Sequence, residues 1–292
     1  MAEQPTVSES RFRPAREEAH DARRFTPTPQ TESKSYTLAF QDAEFLLRSD
    51  LRPVRFQLEL LKPELLLDEA RIASTFVFYG SARIPEPEAA QAGIDAALNE
   101  EERRVAERLA AKARYYEEAR KLARMAAQVP PNDAGCHHFV VCSGGGPSIM
   151  EAANRGAADV GAQSIGLNIV LPHEQAPNAY VTPNLSFQFH YFALRKMHFT
   201  LRARALAVFP GGFGTFDEFF ELLTLVQTGK MKPIPILLFG RDFWSRVVNF
   251  EALAEEGVIS PRDLDLISWV ETAEEAWSVV ERFYADADDP GC

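Results

Sequence analysis

A glycine-rich stretch at residues 209–218 constrains the fold more than any other part of this chain. It reads Phe-Pro-Gly-Gly-Phe-Gly-Thr-Phe-Asp-Glu and follows an apolar run at residues 205–209 that is short enough for a buried strand. The apolar residues after it recur at helical spacing, so the stretch is a strand-to-helix turn. Its three glycines allow positive φ angles and the close approach of a ligand. Free N–H groups at a helix N-terminus favour an anion, and the turn therefore predicts a phosphate site.

Two polar side chains accompany this turn. Thr215 can cap the helix or bind the same phosphate. Glu218 follows one helical turn later, and we expect it on the first exposed face of the helix, where a carboxylate can do proton chemistry. An alternative stays open, because Thr-x-x-Glu is also a capping box and the glycines can serve a tight connection without a ligand.

Two earlier turns have the same character. Residues 74–79 are predicted as the first core strand, and Gly-Ser-Ala-Arg at residues 80–83 leaves it. Residues 138–142 are predicted as the second strand, and Ser-Gly-Gly-Gly-Pro-Ser-Ile-Met-Glu at residues 143–151 leads into a helix. The carboxyl ends of parallel strands meet at one edge of a doubly wound sheet, so these turns are expected to face one ligand. The turn at residues 143–151 matches neither a Walker nor a dinucleotide-binding pattern. Arg83 can reach a phosphate or be a plain surface charge.

Strands and helices alternate to the end of the chain, with further strands predicted at residues 164–171, 233–239 and 266–270. This alternation predicts an α/β fold: a doubly wound, Rossmann-like parallel sheet with helices on both faces and an N-terminal helical extension. We divide the chain into a disordered tail (1–36), a helical extension packed on the core (37–72) and a nucleotide-binding catalytic domain (73–288). Pro53 and Pro63 are predicted to mark helix starts or breaks in the extension.

The Pro-Gly-Gly-x-Gly-Thr-x-x-Glu string at residues 210–218 resembles the signature of the LOG ("Lonely guy") family. Its members are cytokinin riboside 5'-monophosphate phosphoribohydrolases, often mislabelled as lysine decarboxylases. The run at residues 144–157 also resembles this family, particularly its longer bacterial members. The resemblance spans about residues 74–240. It implies a Rossmann-like hydrolase that acts on a nucleoside 5'-monophosphate, and we expect a homodimer or a higher homo-oligomer.

The resemblance also implies site residues. The Arg-Lys pair ahead of the glycine-rich strand places the family's functional arginine at Arg195, whose planar guanidinium can hold phosphate or ribose oxygens at two points. The expected catalytic residues are Arg195 and Glu218. The expected substrate-binding residues are Gly80, Ser81, Gly144, Gly145, Gly146, Met150, Glu151, Lys196, Pro210, Gly211, Gly212, Gly214 and Thr215.

The expected reaction is of the AMP nucleosidase type. It hydrolyses the N-glycosidic bond of a purine-type nucleotide, AMP or N6-modified AMP, to free base and ribose 5-phosphate. Positive charge develops on the ribose, and a carboxylate such as Glu218 can stabilise that charge or activate water. No cofactor and no metal are expected. Two alternatives stay open: a nonenzymatic carrier of a nucleotide-like or molybdenum cofactor, and a decarboxylase that uses pyridoxal phosphate and needs a Schiff-base lysine, for which Lys196 is the lysine near the motifs.

Composition restricts the partners and the compartment. The net charge of −11 and the pI near 5.1 argue against binding to nucleic acid. The basic residues between residues 99 and 128, Lys112 among them, alternate with glutamates and are interpreted as a solvated helix face. No apolar run approaches the roughly 20 residues that span a bilayer, and no signal peptide is evident. The 3 cysteines lack metal-ligand spacing, which favours the cytoplasm. His173 and Glu174 can do acid–base chemistry or lie in a lid near the ligand, and the lid is the favoured prediction.

Overall fold

A computed structural model of the chain describes residues 13–23, 25–172 and 176–285. The chain divides into two compact units, Met1–Leu58 and Glu59–Cys292. His173 and Glu174, predicted to lie in a lid, fall outside the described residues. Among the helices that are described, none is both long enough and apolar enough to cross a membrane.

The first unit consists of short helical segments. These are α1 (Ala15–Asp21), α2 (Ala43–Leu46), the beginning of α3 (Arg52–Glu69) and 3-10 turns at Lys34–Tyr36, Ala39–Gln41 and Ser49–Leu51. Helix α1 lies within the range predicted as a disordered tail, and Arg13 forms an ion pair with Asp21 at 2.7 Å. Arg55 donates from Nη1 to the carbonyls of Leu46 and Arg48 at 2.6 and 2.7 Å, which fastens α3 to the end of α2.

The second unit is built on seven parallel strands. They are β1 (Thr75–Tyr79), β2 (Val140–Ser143), β3 (Ser164–Ile169), β4 (Ser186–Phe189), β5 (Ala203–Val208), β6 (Ile236–Phe239) and β7 (Ser268–Val270). Their order is β4-β3-β2-β1-β5-β6-β7, and each neighbouring pair is parallel. The chain runs outward from β1 in one direction and then outward from β5 in the other. The switch point at which doubly wound sheets bind ligands therefore lies between β1 and β5.

Helices cover both faces of this sheet. They are α4 (Pro87–Asp95), α5 (Glu100–Ala110), α6 (Arg114–Ala127), α7 (Ile149–Ala158), α8 (Phe192–Leu201), α9 (Phe213–Gln227), α10 (Arg241–Val247), α11 (Phe250–Glu255) and α12 (Ala273–Tyr284). Successive side chains of a strand point to opposite faces. Accordingly, Phe76 and Phe78 of β1 pack in a core with α6, α7 and α12, whereas Val77 and Tyr79 pack in a core with α8, α9 and α11. The predicted fold class is confirmed.

Two local predictions differ from the structure. The second strand begins at Val140 rather than at residue 138, because Phe139 has a φ of 53° and leaves the extended conformation. Pro63 lies inside α3 and does not break it. Its side chain is buried together with Leu67, so packing of the helix on the core offsets the hydrogen bond that a proline cannot make.

Arg202 anchors the second half of α3, from Glu59 onward, to the sheet. Its guanidinium pairs with Glu64 at 3.1 Å and Asp68 at 2.6 Å, and it donates to the carbonyl of Ile72 at 2.5 Å. Because Arg202 directly precedes β5, this network joins the helix to the strand that leads into the glycine-rich turn.

Candidate functional site

The first turn of the sheet is bonded to the two glycine-rich turns beside it. The N–H of Ser81, after β1, donates to the carbonyl of Pro210, after β5, at 3.0 Å. The N–H of Ile149, at the start of α7, donates to the carbonyl of Ser81 at 3.4 Å. These bonds hold the carboxyl ends of three strands together at the switch point of the sheet.

A cavity of about 680 Å³ opens at this edge, and we call it the cleft. Its volume is in the range of small-molecule sites. It is lined by residues from the turns and from the adjoining helices: Gly80, Ser81, Ala82, Arg83, Ile84, Leu109, Lys112, Met150, Arg195, Pro210, Gly211, Gly212, Phe213, Gly214, Thr215, Glu218 and Phe243.

The glycine-rich turn ends in a helix whose first N–H groups have no side-chain cap. Helix α9 begins at Phe213 with Gly212 as its N-cap residue. Thr215 is therefore already in the first helical turn, so it cannot form the capping box with Glu218 that the sequence allows. An uncapped helix N-terminus beside a glycine turn is suited to an anion.

Only glycine fits at position 211 of this turn. A Cβ there would lie 2.1 Å from Oγ1 and 2.6 Å from Cβ of Thr215, which is itself buried. The turn thus brings its backbone against the first turn of α9 more closely than any side chain would permit. The cleft consequently has a wall of main-chain atoms at this point.

Arg195 and Glu218 form a shielded ion pair at the side of the cleft. Nη1 of Arg195 lies 3.1 Å from Oε1 of Glu218, and the two side chains are only 11% and 14% exposed. The prediction that Glu218 lies on an exposed face is therefore wrong, because α9 turns this carboxylate toward α8. Arg195 is further fixed by donating from Nε to the carbonyl of Leu167 at 2.7 Å and by lying 5.2 Å from the ring centre of Phe199.

The surroundings of Glu218 raise the pKa of its carboxyl group toward neutral pH. Burial raises the pKa of Glu218 to about 7, the positive charge of Arg195 opposes this rise, and Asp217 adds to it. A carboxyl group with a pKa near the working pH is suited to proton transfer.

The second glycine-rich turn lies directly behind Arg195. A Cβ on Gly144 would lie 2.6 Å from Nη2 of Arg195 and 2.8 Å from Sδ of Met150. Gly145 has a φ of 72°, and its carbonyl accepts a hydrogen bond from the N–H of Asn178 at 2.8 Å. The carbonyl of Gly146 accepts a second bond from Asn178, at 3.0 Å. Met150 lines the cleft, whereas Gly144 lies directly against Arg195 outside the cleft lining.

Five residues expected at the substrate do not line the cleft: Gly144, Gly145, Gly146, Glu151 and Lys196. Glu151 accepts a hydrogen bond from the hydroxyl of Tyr116 at 3.1 Å. Lys196 forms ion pairs with Asp217 at 3.1 Å and Glu221 at 3.0 Å. Burial lowers the pKa of Lys196, but hydrogen bonds to the two carboxylates outweigh it and leave the pKa raised. A raised pKa is opposite to what a Schiff-base lysine requires.

Sequence reasoning missed Leu109, Lys112 and Phe243 as residues of the cleft. Leu109 lies in the last turn of α5, Lys112 lies between α5 and α6, and Phe243 belongs to α10. None of them is part of a motif, and the alternating charges around Lys112 are typical of a solvated helix.

The fold and the site define a doubly wound α/β protein with a small-molecule cleft at the switch point of its sheet. Residues 150–280 match the family model described as "Possible lysine decarboxylase", a range that contains Arg195, Glu218 and the turn between them. The chain is 26% identical over 147 residues to cytokinin riboside 5'-monophosphate phosphoribohydrolase LOG3 of Arabidopsis thaliana, across 49% of this chain and 67% of that protein. The chain thus shows distant homology to the cytokinin riboside 5'-monophosphate phosphoribohydrolases of the LOG family.

Two further similarities extend the comparison. The chain is 31% identical over 90 residues to the probable cytokinin riboside 5'-monophosphate phosphoribohydrolase LOGL3 of Oryza sativa subsp. japonica, across 30% of this chain and 43% of that protein. A solved structure of the Moco carrier protein from Chlamydomonas reinhardtii is 18% identical, covers 73% of this chain and 98% of its own, and gives a TM-score of 0.41. A structural similarity at this level does not indicate a shared function.

Proposed function

We propose that this chain hydrolyses the N-glycosidic bond of a nucleoside 5'-monophosphate, releasing a free base and ribose 5-phosphate. The observation that carries the proposal is the ion pair between Arg195 and Glu218, 3.1 Å apart and largely shielded from solvent, in the cleft that contains the glycine-rich turn. The distant relationship to phosphoribohydrolases supports the same reaction class.

In this proposal the 5'-phosphate binds at the turn formed by residues 210–215. The uncapped N–H groups at the start of α9 face the phosphate, and Thr215 contributes its hydroxyl. Arg195 binds phosphate or ribose oxygens, and the ribose lies beside Glu218, one helical turn along α9 from Thr215. Met150 then lies where it can contact the ribose or the base.

Glu218 acts at the anomeric carbon of the ribose. As the bond to the base lengthens, positive charge develops on the ribose ring, and the Glu218 carboxylate stabilises it or removes a proton from the attacking water. Water supplies the hydroxyl group that forms the new bond to the anomeric carbon. The electron pair of the broken bond leaves with the base, whose nitrogen takes up a proton.

The substrate class that we propose is a purine nucleotide, AMP or an N6-modified AMP. The names of the relatives support a nucleoside monophosphate with a modified base. Apolar side chains on the cleft wall, those of Ile84, Leu109 and Phe243, are compatible with such a base. The cytoplasm stays the expected compartment, and no nucleic-acid partner is expected.

We also propose that the chain forms a homodimer or a higher homo-oligomer. On the second unit, five apolar side chains of α3 and α8 are between 42% and 57% exposed: Leu61, Leu65, Phe192, Met197 and Leu201. Burial of such side chains against a second copy would be favourable. Light scattering of the purified protein tests this, with a homodimer or a larger homo-oligomer expected.

A nucleotide panel tests the proposed reaction. AMP, GMP, a pyrimidine nucleotide and N6-prenyl-AMP are incubated with the protein, and free base and ribose 5-phosphate are measured separately. We expect equal amounts of the two products from at least one purine nucleotide. Tight AMP binding without base release would instead support a carrier of a nucleotide-like or molybdenum cofactor, and would contradict the hydrolase.

A further inference from the structure

Four basic side chains gather at one end of the cleft. Arg83 and Lys112 line it, and Arg108 and Arg246 are the charged groups near Lys112. Nζ of Lys112 donates to the carbonyl of Arg108 at 2.7 Å. Within the described residues, none of these four side chains forms an ion pair with a carboxylate, whereas Arg195 is paired with Glu218.

This arrangement is unusual for a chain with a net charge of −11. Among the described residues, the lining of the cleft includes three cations, Arg83, Lys112 and Arg195, and one carboxylate, that of Glu218. Burial lowers the pKa of Lys112, and Arg108 and Arg246 lower it further, which reflects the proximity of like charges. A bound anion relieves this repulsion, so unpaired cations inside a cavity favour a ligand with matching negative charge.

Space continues beyond this end of the cleft. A second cavity of about 520 Å³ shares Arg83 and Leu109 with the cleft and extends between α4 and α5. Glu101 and Glu102 belong to the lining of that cavity, and the cleft itself does not include them. The two cavities therefore adjoin at Arg83 and Leu109, and Arg83 is within the lining that a ligand bound at the glycine-rich turn shares.

We propose that Arg83 and Lys112 form a second phosphoryl subsite, which takes the β-phosphate of a nucleoside 5'-diphosphate. The inference rests on the proposed function in one respect, because it assumes that the α-phosphate occupies the turn at residues 210–215. The additional phosphoryl group then meets the two unpaired cations. The diphosphate competes with the monophosphate for the cleft and inhibits base release.

The test compares ligands that differ by one phosphoryl group. Calorimetry measures the binding of inorganic phosphate and of pyrophosphate to the full chain, and a second assay measures inhibition of base release from AMP by ADP. The variants are Arg83→Ala and Lys112→Met, the latter keeping an unbranched side chain of similar length. Lys230→Ala is the matched control, because Lys230 is exposed and does not line either cavity. Thermal melting verifies that each variant is folded.

We expect wild type to bind pyrophosphate at least about tenfold more tightly than phosphate, since a hydrogen bond to a charged group contributes on this scale. Each variant lowers the ratio of the two affinities about tenfold, and Lys230→Ala leaves the ratio unchanged. Equal affinity for the two anions in wild type, or equal losses for both in the variants, overturns the subsite.

The two proposals fail in different ways. A preference for pyrophosphate that depends on Arg83 and Lys112, without base release from any nucleotide, supports the subsite and contradicts the hydrolase. Base release that ADP inhibits no better than ribose 5-phosphate does supports the hydrolase and contradicts the subsite.

Discussion

Gly144 and Arg195 approach each other so closely that a side chain at position 144 would displace the guanidinium. A Cβ on Gly144 would lie 2.6 Å from Nη2 of Arg195, well inside van der Waals contact. Arg195 cannot retreat without losing its bond to the Leu167 carbonyl or its ion pair with Glu218. The turn after β2 therefore fixes the position of the arginine from α8, although the two residues belong to different elements of the sheet edge.

The first prediction concerns Gly144→Ala. The added methyl group displaces the guanidinium, and because misplacement of a catalytic group by about 1 Å can lower a rate about 100-fold, we expect a loss of kcat/KM on that scale. Steady-state measurement of base release checks it. Gly93→Ala is the control: no atom lies within 4 Å of a Cβ built there, and its activity should be retained. Full activity in Gly144→Ala would show that the position of Arg195 does not matter.

The second prediction concerns pH. Burial raises the pKa of Glu218 to about 7, and the mechanism uses its carboxylate form, so kcat/KM, which reports ionisations of the free enzyme, should rise with pH around a midpoint of about 7. The measurement is kcat/KM from pH 5 to pH 9, and Glu218→Gln is the reference because it retains the titration of the substrate phosphate near pH 6. A flat profile, or the same profile in Glu218→Gln, would contradict the assignment.

The raised pKa of Glu218 also has a consequence for stability. The folded chain holds this proton more tightly than the unfolded chain, in which the carboxyl titrates near its ordinary value of 4.5. The contribution of Glu218 to the free energy of unfolding therefore falls as the pH rises from about 4.5 to about 7. Urea unfolding at several pH values should show a smaller fall for Glu218→Gln than for wild type.

The third prediction concerns Gly211→Ala. Its Cβ would lie 2.1 Å from Oγ1 of the buried Thr215, so the turn or the first turn of α9 must move. Overpacking of this kind lowers the free energy of unfolding by about 1–3 kcal/mol. We expect a lower melting temperature and loss of phosphate binding in calorimetry. Gly214→Ala, where a Cβ meets no atom within 4 Å, should melt close to wild type.

The fourth prediction concerns Arg202, which has no part in the cleft. Arg202→Ala leaves Glu64 and the carbonyl of Ile72 without their shared partner. Hydrogen bonds to a charged group contribute about 1.5–3 kcal/mol, and we expect a loss of that size in the free energy of unfolding. Arg48→Ala removes an exposed ion pair with Asp50 and should change it by less than about 1 kcal/mol. Equal effects of the two variants would contradict the anchoring role of Arg202.

Much of the sheet could be predicted because its strands are short apolar runs followed by glycine turns or helical patterns. Strand β5 and the turn after it, for example, follow directly from residues 205–214. The burial of Glu218 could not be predicted in this way. It depends on the approach of α8 to α9, and no local pattern in α9 encodes the position of Arg195.

Lys112 is a second residue whose place in the site could not be predicted from the local sequence. Its neighbours in sequence are typical of a solvated helix, and it reaches the cleft only because the junction of α5 and α6 lies beside the turn at residues 210–215. Separations of about 100 residues along the chain leave no local signal. Motifs therefore predict the turns, whereas the side chains that other elements contribute to the cleft depend on the three-dimensional fold.

The most direct test of the central claim compares Glu218→Gln with Glu221→Gln, assayed for adenine release from AMP. Both substitutions replace a carboxylate of α9 with an amide, but only Glu218 lines the cleft, whereas Glu221 pairs with Lys196 at 3.0 Å. We expect Glu218→Gln to lose about 100-fold to 10,000-fold in kcat, the range of general acid–base catalysis, and Glu221→Gln to remain within about threefold of wild type. Unchanged adenine release by Glu218→Gln would contradict the claim that this carboxylate acts at the glycosidic bond.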